Sequence, residues 1–255
     1  MDQKHDKYEG DVGIKPQGNA FARIENFWYH YKWHTVAAAF MIFVILICSI
    51  QCSRVTRYDV QVLYAGNHAF ARTSGDGSYS EYMKALSSVS TAARDYDENG
   101  EVKVTFLDLY ILSPDEMSEL ENDPEAQDPP YQLLQENSAM LKNNLDMSDY
   151  YVCFLSERLF LQYSEGESNA GRFAKIAPYT KAGAGYDYVS EYGIRLSSID
   201  FSEMPGISGV DAEDTVVCIR NVSAMSSVFG RETSEEHFRR SEELLREILA
   251  YQKEG

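Results

Sequence analysis

Residues 150–162 read YYVCFLSERLFLQ. The first six are apolar with no alternation, the pattern of a strand covered on both of its faces. SERLFLQ follows at once and predicts a short helix. A strand buried on both sides and handed directly to a helix belongs to an α/β sheet, and the neighbouring segments show the same alternation.

Upstream, YDVQVLYA at 58–65 predicts a first strand. Ser78 and Glu81 have the spacing of a capping box, and Tyr82, Leu86, Val89 and Ala93 then recur at helical steps. Val102, Val104 and Phe106 alternate with Lys103, Thr105 and Leu107 as on a pleated strand. Polar text from Ser113 to Asp128 reads as a connection. Asp128 before Pro129 marks a helix start, and Leu134, Leu141 and Leu145 share one face beyond it.

Downstream, glycines scatter from Gly166 to Gly193, and YGIRLS and TVVCIR supply two more strands. Thr233 and Glu236 box a last helix with Phe238, Leu245, Ile248 and Leu249 inward and the pairs Glu236–Arg240 and Glu242–Arg246 outward. The expected fold is a three-layer α/β sandwich around a mostly parallel sheet of about five strands, spanning residues 58–255.

A different physics governs the N-terminal part. No Asp, Glu, Lys or Arg occurs between Lys32 and Arg54, a gap of 21 residues. As a helix that gap covers roughly 31 Å, the thickness of a bilayer's hydrocarbon core. Phe27, Trp28, Tyr29, Tyr31 and Trp33 crowd together just before the apolar run. Trp and Tyr rings have an apolar body and a polar tip, so with Lys32 they form an expected belt at the headgroup boundary. The reading is a tail at 1–32, a transmembrane signal anchor at 33–53 and an extracytoplasmic domain beyond. A cleaved leader fits less well, because 34 residues precede the run and its exit lacks suitably spaced small residues. Lys15, Arg23 and Lys32 before the span balance Arg54, Arg57 and Arg72 after it, so charge alone sets no orientation. The short leading tail and long following domain favour an N-terminus inside.

Charge narrows the partners. Residues 1–57 hold seven Lys or Arg and five Asp or Glu, a net of +2, so −19 of the chain's −17 falls on the rest. Such a surface repels phosphate backbones and excludes nucleic acid as a natural partner. Cysteine adds no metal-type spacing: Cys48 and Cys52 belong to the apolar run or its exit, and Cys153 and Cys218 sit in strand text. A bridge between the last two requires adjoining strands.

Chemical signals are sparse. Asp95, Asp97, Asn99 and Glu101 lie in DYDENGEVKV at a spacing like that of a calcium loop, but Phe106 stands where the bidentate Glu belongs. An Asn-Gly turn or a loose calcium loop are the two readings, and no other cofactor is expected. Gly206-Ile-Ser208-Gly209 is not a nucleophile elbow, and no Walker or dinucleotide fingerprint occurs. His237 reads as a solvated residue of a charged helix. Open α/β sheets bind ligands beyond strand carboxyl ends, which selects Asn67 and His68, Ser156, Glu157 and Arg158, and Arg220 and Asn221 as candidate ligand contacts.

FWYHYKWHT ahead of one span, then YDVQVLYAG, EVKVTFLDLY, YYVCFLSERLF and SEYGIRLSSIDF, resembles membrane-anchored proteins of Gram-positive bacteria. The resemblance implies an outer part similar to one lobe of an extracellular solute-binding protein, and it brings no catalytic set. The expected function is non-enzymatic: an anchored domain that binds a protein partner or a cell-envelope component. A solute-binding accessory lobe of a transporter is the alternative, and an envelope hydrolase using His68 comes third.

Overall fold

The computed structural model describes residues 20–53, 58–71, 80–122, 130–166, 169, 171–181, 183–223 and 226–252. The chain divides into two compact units, at 1–56 and 57–255.

The first unit is described from one helix, α1 (Ala20–Ser53). Its segment Tyr31–Ile50 is long and apolar enough to cross a membrane, and none of it is buried. Phe40, Ile42, Phe43, Ile45 and Leu46 are each more than half exposed, so this is not a helix packed into a protein core. The ring-bearing residues Phe27, Trp28, Tyr29, Tyr31 and Trp33 are exposed as well, as is Lys32.

The second unit is α/β. Its strands are β1 (Val60–Gly66), β2 (Val104–Tyr110), β3 (Val152–Ser156), β4 (Tyr188–Ser190), β5 (Gly193–Arg195) and β6 (Thr215–Ile219), in the spatial order β2-β1-β3-β6-β5-β4. β1 runs parallel to both β2 and β3, whereas β6 is antiparallel to β3 and to β5, and β5 to β4. The sheet is therefore mixed, with six strands, and not mostly parallel with about five. Continuous apolar runs such as TVVCI report burial on both faces and are indifferent to strand direction.

Alternation along β1 divides the core into two layers. Val60, Val62 and Tyr64 face one side, packed with Ala85 and Val89 of α2 (Glu81–Ala92) and with Leu245 of α6 (Ser226–Ala250). Leu63 and Ala65 face the other, against Leu141 and Leu145 of α4 (Tyr131–Met147) and Phe160 of α5 (Glu157–Ser164). Each fully buried Val, Leu or Phe side chain among these contributes about 1.5–3 kcal/mol. Helices thus cover both faces of one sheet.

Local rules explain most element ends, and some differ from expectation. α2 is capped by Ser80, whose Oγ accepts from the Met83 N–H at 3.3 Å. Ser78 lies outside the described residues, and Glu81 reaches elsewhere. α3 (Pro114–Asn122) lies where polar text predicted no element. It starts at a capping box: the Glu116 N–H donates to Ser113 Oγ at 3.1 Å and Glu116 Oε2 accepts from the Ser113 N–H at 2.6 Å. The expected start of α4 at Asp128 lies outside the described residues. α6 starts before the expected Thr233 box, so Glu236 sits within the helix and pairs with Arg239 and Arg240. The expected Glu242–Arg246 pair gives way to Tyr179, whose hydroxyl donates to Glu242 at 2.7 Å while Arg246 lies over its ring.

β2 is an edge strand. Ile111 N–H donates to Gly66 O, so odd-numbered residues of β2 turn their backbone groups toward β1 and even-numbered ones turn outward. Two of the outward carbonyls are closed by side chains: Tyr82 Oη donates to Phe106 O and Asn137 Nδ2 to Tyr110 O, both at 2.9 Å.

Candidate functional site

The order of strands reverses at β1. The chain leaves β1 through α2 to β2 on one flank, then crosses back through α3 and α4 to β3 on the other. The carboxyl ends of β1 and β3 therefore diverge into loops on opposite faces, the geometry that opens a crevice in an open α/β sheet. Because Ala65 pairs with Leu155, Asn67 and His68 stand beside Ser156, Glu157 and Arg158. Five of the seven residues selected from the sequence meet at this end.

Each is held by identifiable partners. Asn67 Nδ2 donates to Glu116 Oε1 at 2.5 Å. Burial opposes ionisation of Glu116, but the Ser113 backbone N–H and hydroxyl, Asn67 and the charge of Arg158 hold it below the usual carboxylate range. The His68 backbone N–H donates to Tyr64 Oη at 3.1 Å, and its Nε2 lies 2.9 Å from Glu81 Oε1. Glu81 Oε2 accepts from the Ala71 N–H at 3.2 Å, which fixes the turn after β1 against α2. Gly209 is backed directly onto this pair: a β-carbon there would collide with Glu81 Oε1.

On the β3 side, Ser156 is buried at the N-cap of α5, without a cap hydrogen bond from its side chain. The Glu157 N–H donates to Asp214 O at 2.6 Å, and its carboxylate meets Arg195 Nη1 at 2.7 Å. Arg195 also pairs with Asp187 at 3.0 Å and donates to Glu213 O. Arg158 is exposed, with Nη2 3.4 Å from Leu112 O.

Acid dominates the surroundings. Burial and the neighbouring carboxylates of Asp211, Glu116 and Glu157 push the Asp214 carboxyl above its ordinary range. Burial raises the Tyr64 phenol, and Asp214, Glu116 and Asp211 add to the effect. These residues come from β1, α3, α5 and the segment before β6, and Asp211, Asp214 and Glu116 were not singled out in the sequence, which gave Glu81 a capping role only. The Ser113–Glu116 spacing was the one signal that would have placed Glu116 at a helix start.

Arg220 and Asn221 belong elsewhere. β6 is antiparallel, so its carboxyl end lies beside the start of β3, with Arg220 N–H donating to Tyr151 O at 2.8 Å. The Arg220 guanidinium is buried, lies 4.7 Å over the Tyr151 ring and donates to the carbonyls of Asn221 and Ser148. Asn221 Nδ2 donates to Gly171 O at 2.8 Å. Both fasten the opposite end of the sheet.

The Asp95–Glu101 stretch forms a turn with Glu98 at φ 54° and Gly100 at φ 86°. The Gly100 N–H donates to Asp95 Oδ2 at 2.6 Å and the Glu101 N–H to Asn99 Oδ1 at 2.9 Å. Asp59, Asp95 and Asp97 bring carboxylate oxygens within 4.8 Å of one another. Asp59 is already committed, accepting from Tyr96 N–H at 2.9 Å and Lys103 N–H at 2.8 Å. These bonds are those of an Asx-rich turn joining α2 to β2.

His237 is not simply solvated: its Nδ1 lies 3.1 Å from Asp149 Oδ2, tying α6 to the segment before β3. Away from these strand ends, a cleft of about 850 Å³ runs along α2, lined by Met83, Leu86, Thr91, Val104 and Met204. No family model, curated protein or solved structure matches the chain.

Proposed function

We propose that this is a single-pass anchored protein whose extracytoplasmic α/β domain binds a protein or cell-envelope component without chemical turnover, using the carboxyl ends of β1 and β3 as its recognition surface. The observation that carries the reading is the convergence of Asn67, His68 and Ser156–Arg158 at the point where strand order reverses, amid Glu116, Asp211 and Asp214. The titratable groups there are tied into the frame, His68 to Glu81 and Glu157 to Arg195, an arrangement suited to presenting a fixed charged surface. The unburied span Tyr31–Ile50 supports the anchor, and the belt Phe27–Trp33 its placement at an interface.

Photocrosslinking residues placed at Arg158 and at Asn221 of the full-length protein in its native membranes test this. Crosslinks from position 158 and none from 221 are expected. The reverse pattern would remove the recognition surface. Protease shaving of intact cells should release residues beyond the span, and full protection would invert the orientation.

The same strand ends carry a second reading: a lobe for a small solute, in keeping with the solute-binding resemblance. A defined solute that raises the melting temperature of the full chain would favour it.

A further inference from the structure

Among the described residues nine polar or charged side chains are buried, and seven of them are satisfied by hydrogen bonds within the domain. Ser156 and Thr215 are the two that are not. They stand opposite each other across the β3–β6 ladder, at relative exposures of 7% and 3%. Alternation sends both side chains to the face of Phe154 and Val217, which is also the face of Tyr64. The α5 cap leaves the Ser156 hydroxyl unused. Neither oxygen is sealed in, since the buried unpartnered side-chain atoms among the described residues are Thr105 Oγ1 and Arg172 Nη1, so two otherwise buried residues keep unbonded hydroxyls within reach of a ligand.

What surrounds the pair defines the missing partner. Asp214 immediately precedes Thr215, and Asp211, Glu116 and Glu157 lie close enough to act on its charge. Arg195 neutralises Glu157, and Arg158 lies near Glu116, but among the described residues Asp214 and Asp211 make no ion pair. The complement is a hydrogen-bond donor that carries positive charge. A bare metal ion fits poorly, because three carboxylate oxygens gather within 4.8 Å only at Asp59, Asp95 and Asp97 among the described residues. Those around Ser156 stand further apart. A primary ammonium group is larger, has three donors and no acceptor, and matches two hydroxyl oxygens and a carboxylate.

We propose that the crevice at the carboxyl end of β3 binds a ligand through a primary ammonium group, received by Ser156 Oγ, Thr215 Oγ1 and the Asp214 carboxylate. This rests on the recognition surface proposed above and names its ligand chemistry. Two sources present that group, a free alkylamine and a lysine side chain of a bound protein.

Titration calorimetry on the full-length protein in detergent micelles distinguishes them, with cadaverine as one probe and Nα-acetyl-lysine methylamide as the other. Saturable binding of either is expected, cadaverine preference assigning a free amine and lysine-amide preference a protein lysine. Ser156→Ala, Thr215→Val and Asp214→Asn should each weaken binding about tenfold or more, the usual loss for a hydrogen bond to a charged group. Thr215→Ser keeps the hydroxyl and should bind as the native chain does, and circular dichroism melting identifies any variant that has failed to fold. Tetramethylammonium, which has no donor, should not bind. Absence of saturable amine binding by the folded native protein, equal binding by all three weakened variants, or equal binding of tetramethylammonium overturns the proposal. If amines fail while crosslinks still arise at position 158, only the ammonium is wrong. If position 158 yields no crosslinks either, the recognition surface falls with it.

Discussion

Gly206 holds φ at +81°, and a β-carbon there would run into the backbone of α2 at Ala85 and Glu81. Both space and conformation demand glycine, while Ser88 Oγ donates to the adjacent Pro205 O at 2.7 Å to seal the contact. Gly206→Ala should cost about 2–4 kcal/mol in urea unfolding, since strain and overpacking add. Asp59 is a second such residue. Both carboxylate oxygens cap backbone N–H groups, so Asp59→Ala should cost roughly 2–4 kcal/mol by leaving them unmet. Because those oxygens, and those of Asp95, are already engaged, millimolar calcium is expected to leave the melting temperature unchanged; a clear rise would make the turn a cation site. At this scale the sequence was only partly legible. Asn67 and His68 were reachable because they follow a strand, but Asp214 precedes one and Thr215 opens it, and only the reversal of β6 brings them to the same end.

That reversal is the main lesson at the level of elements. Apolar runs located β1, β3 and β6, and helical spacing located α2, α4 and the inner face of α6, with Leu134, Leu141 and Leu145 all buried. YGIRLS located β5 as well, but the three-residue strand β4 is too short to leave a period, and α3 buries nothing, so hydrophobic pattern could not report it. The antiparallel ladder also sets Cys153 directly against Cys218 as free, fully buried thiols. Burial pushes the Cys218 thiol well up, so alkylation should be slow in the native protein and fast in urea. The α6 contact has a pH signature. The hydrogen bond from His237 outweighs burial and holds Asp149 below its usual range. A carboxyl lowered on folding stabilises above its unfolded pKa and loses that contribution as pH falls. Melting temperature should therefore drop as pH falls below about 4, and less steeply in Asp149→Asn.

For the whole molecule, the two units differ in how their apolar side chains are covered. α1 exposes apolar side chains that a membrane would cover, whereas residues 57–255 close their own core. The full chain should pellet with membranes and resist extraction by carbonate, and a chain beginning at residue 57 should remain in the supernatant. Recovery of both in the supernatant would dismiss the anchor. The edge strand β2 bears on crowding. A sheet grows by lending its rim to a neighbour's backbone, and the Phe106 and Tyr110 carbonyls are plugged by Tyr82 and Asn137 from within. Copies at high density should consequently stay discrete instead of zipping into ribbons, and unplugging the rim with Tyr82→Phe and Asn137→Ala is the change that would let them polymerise.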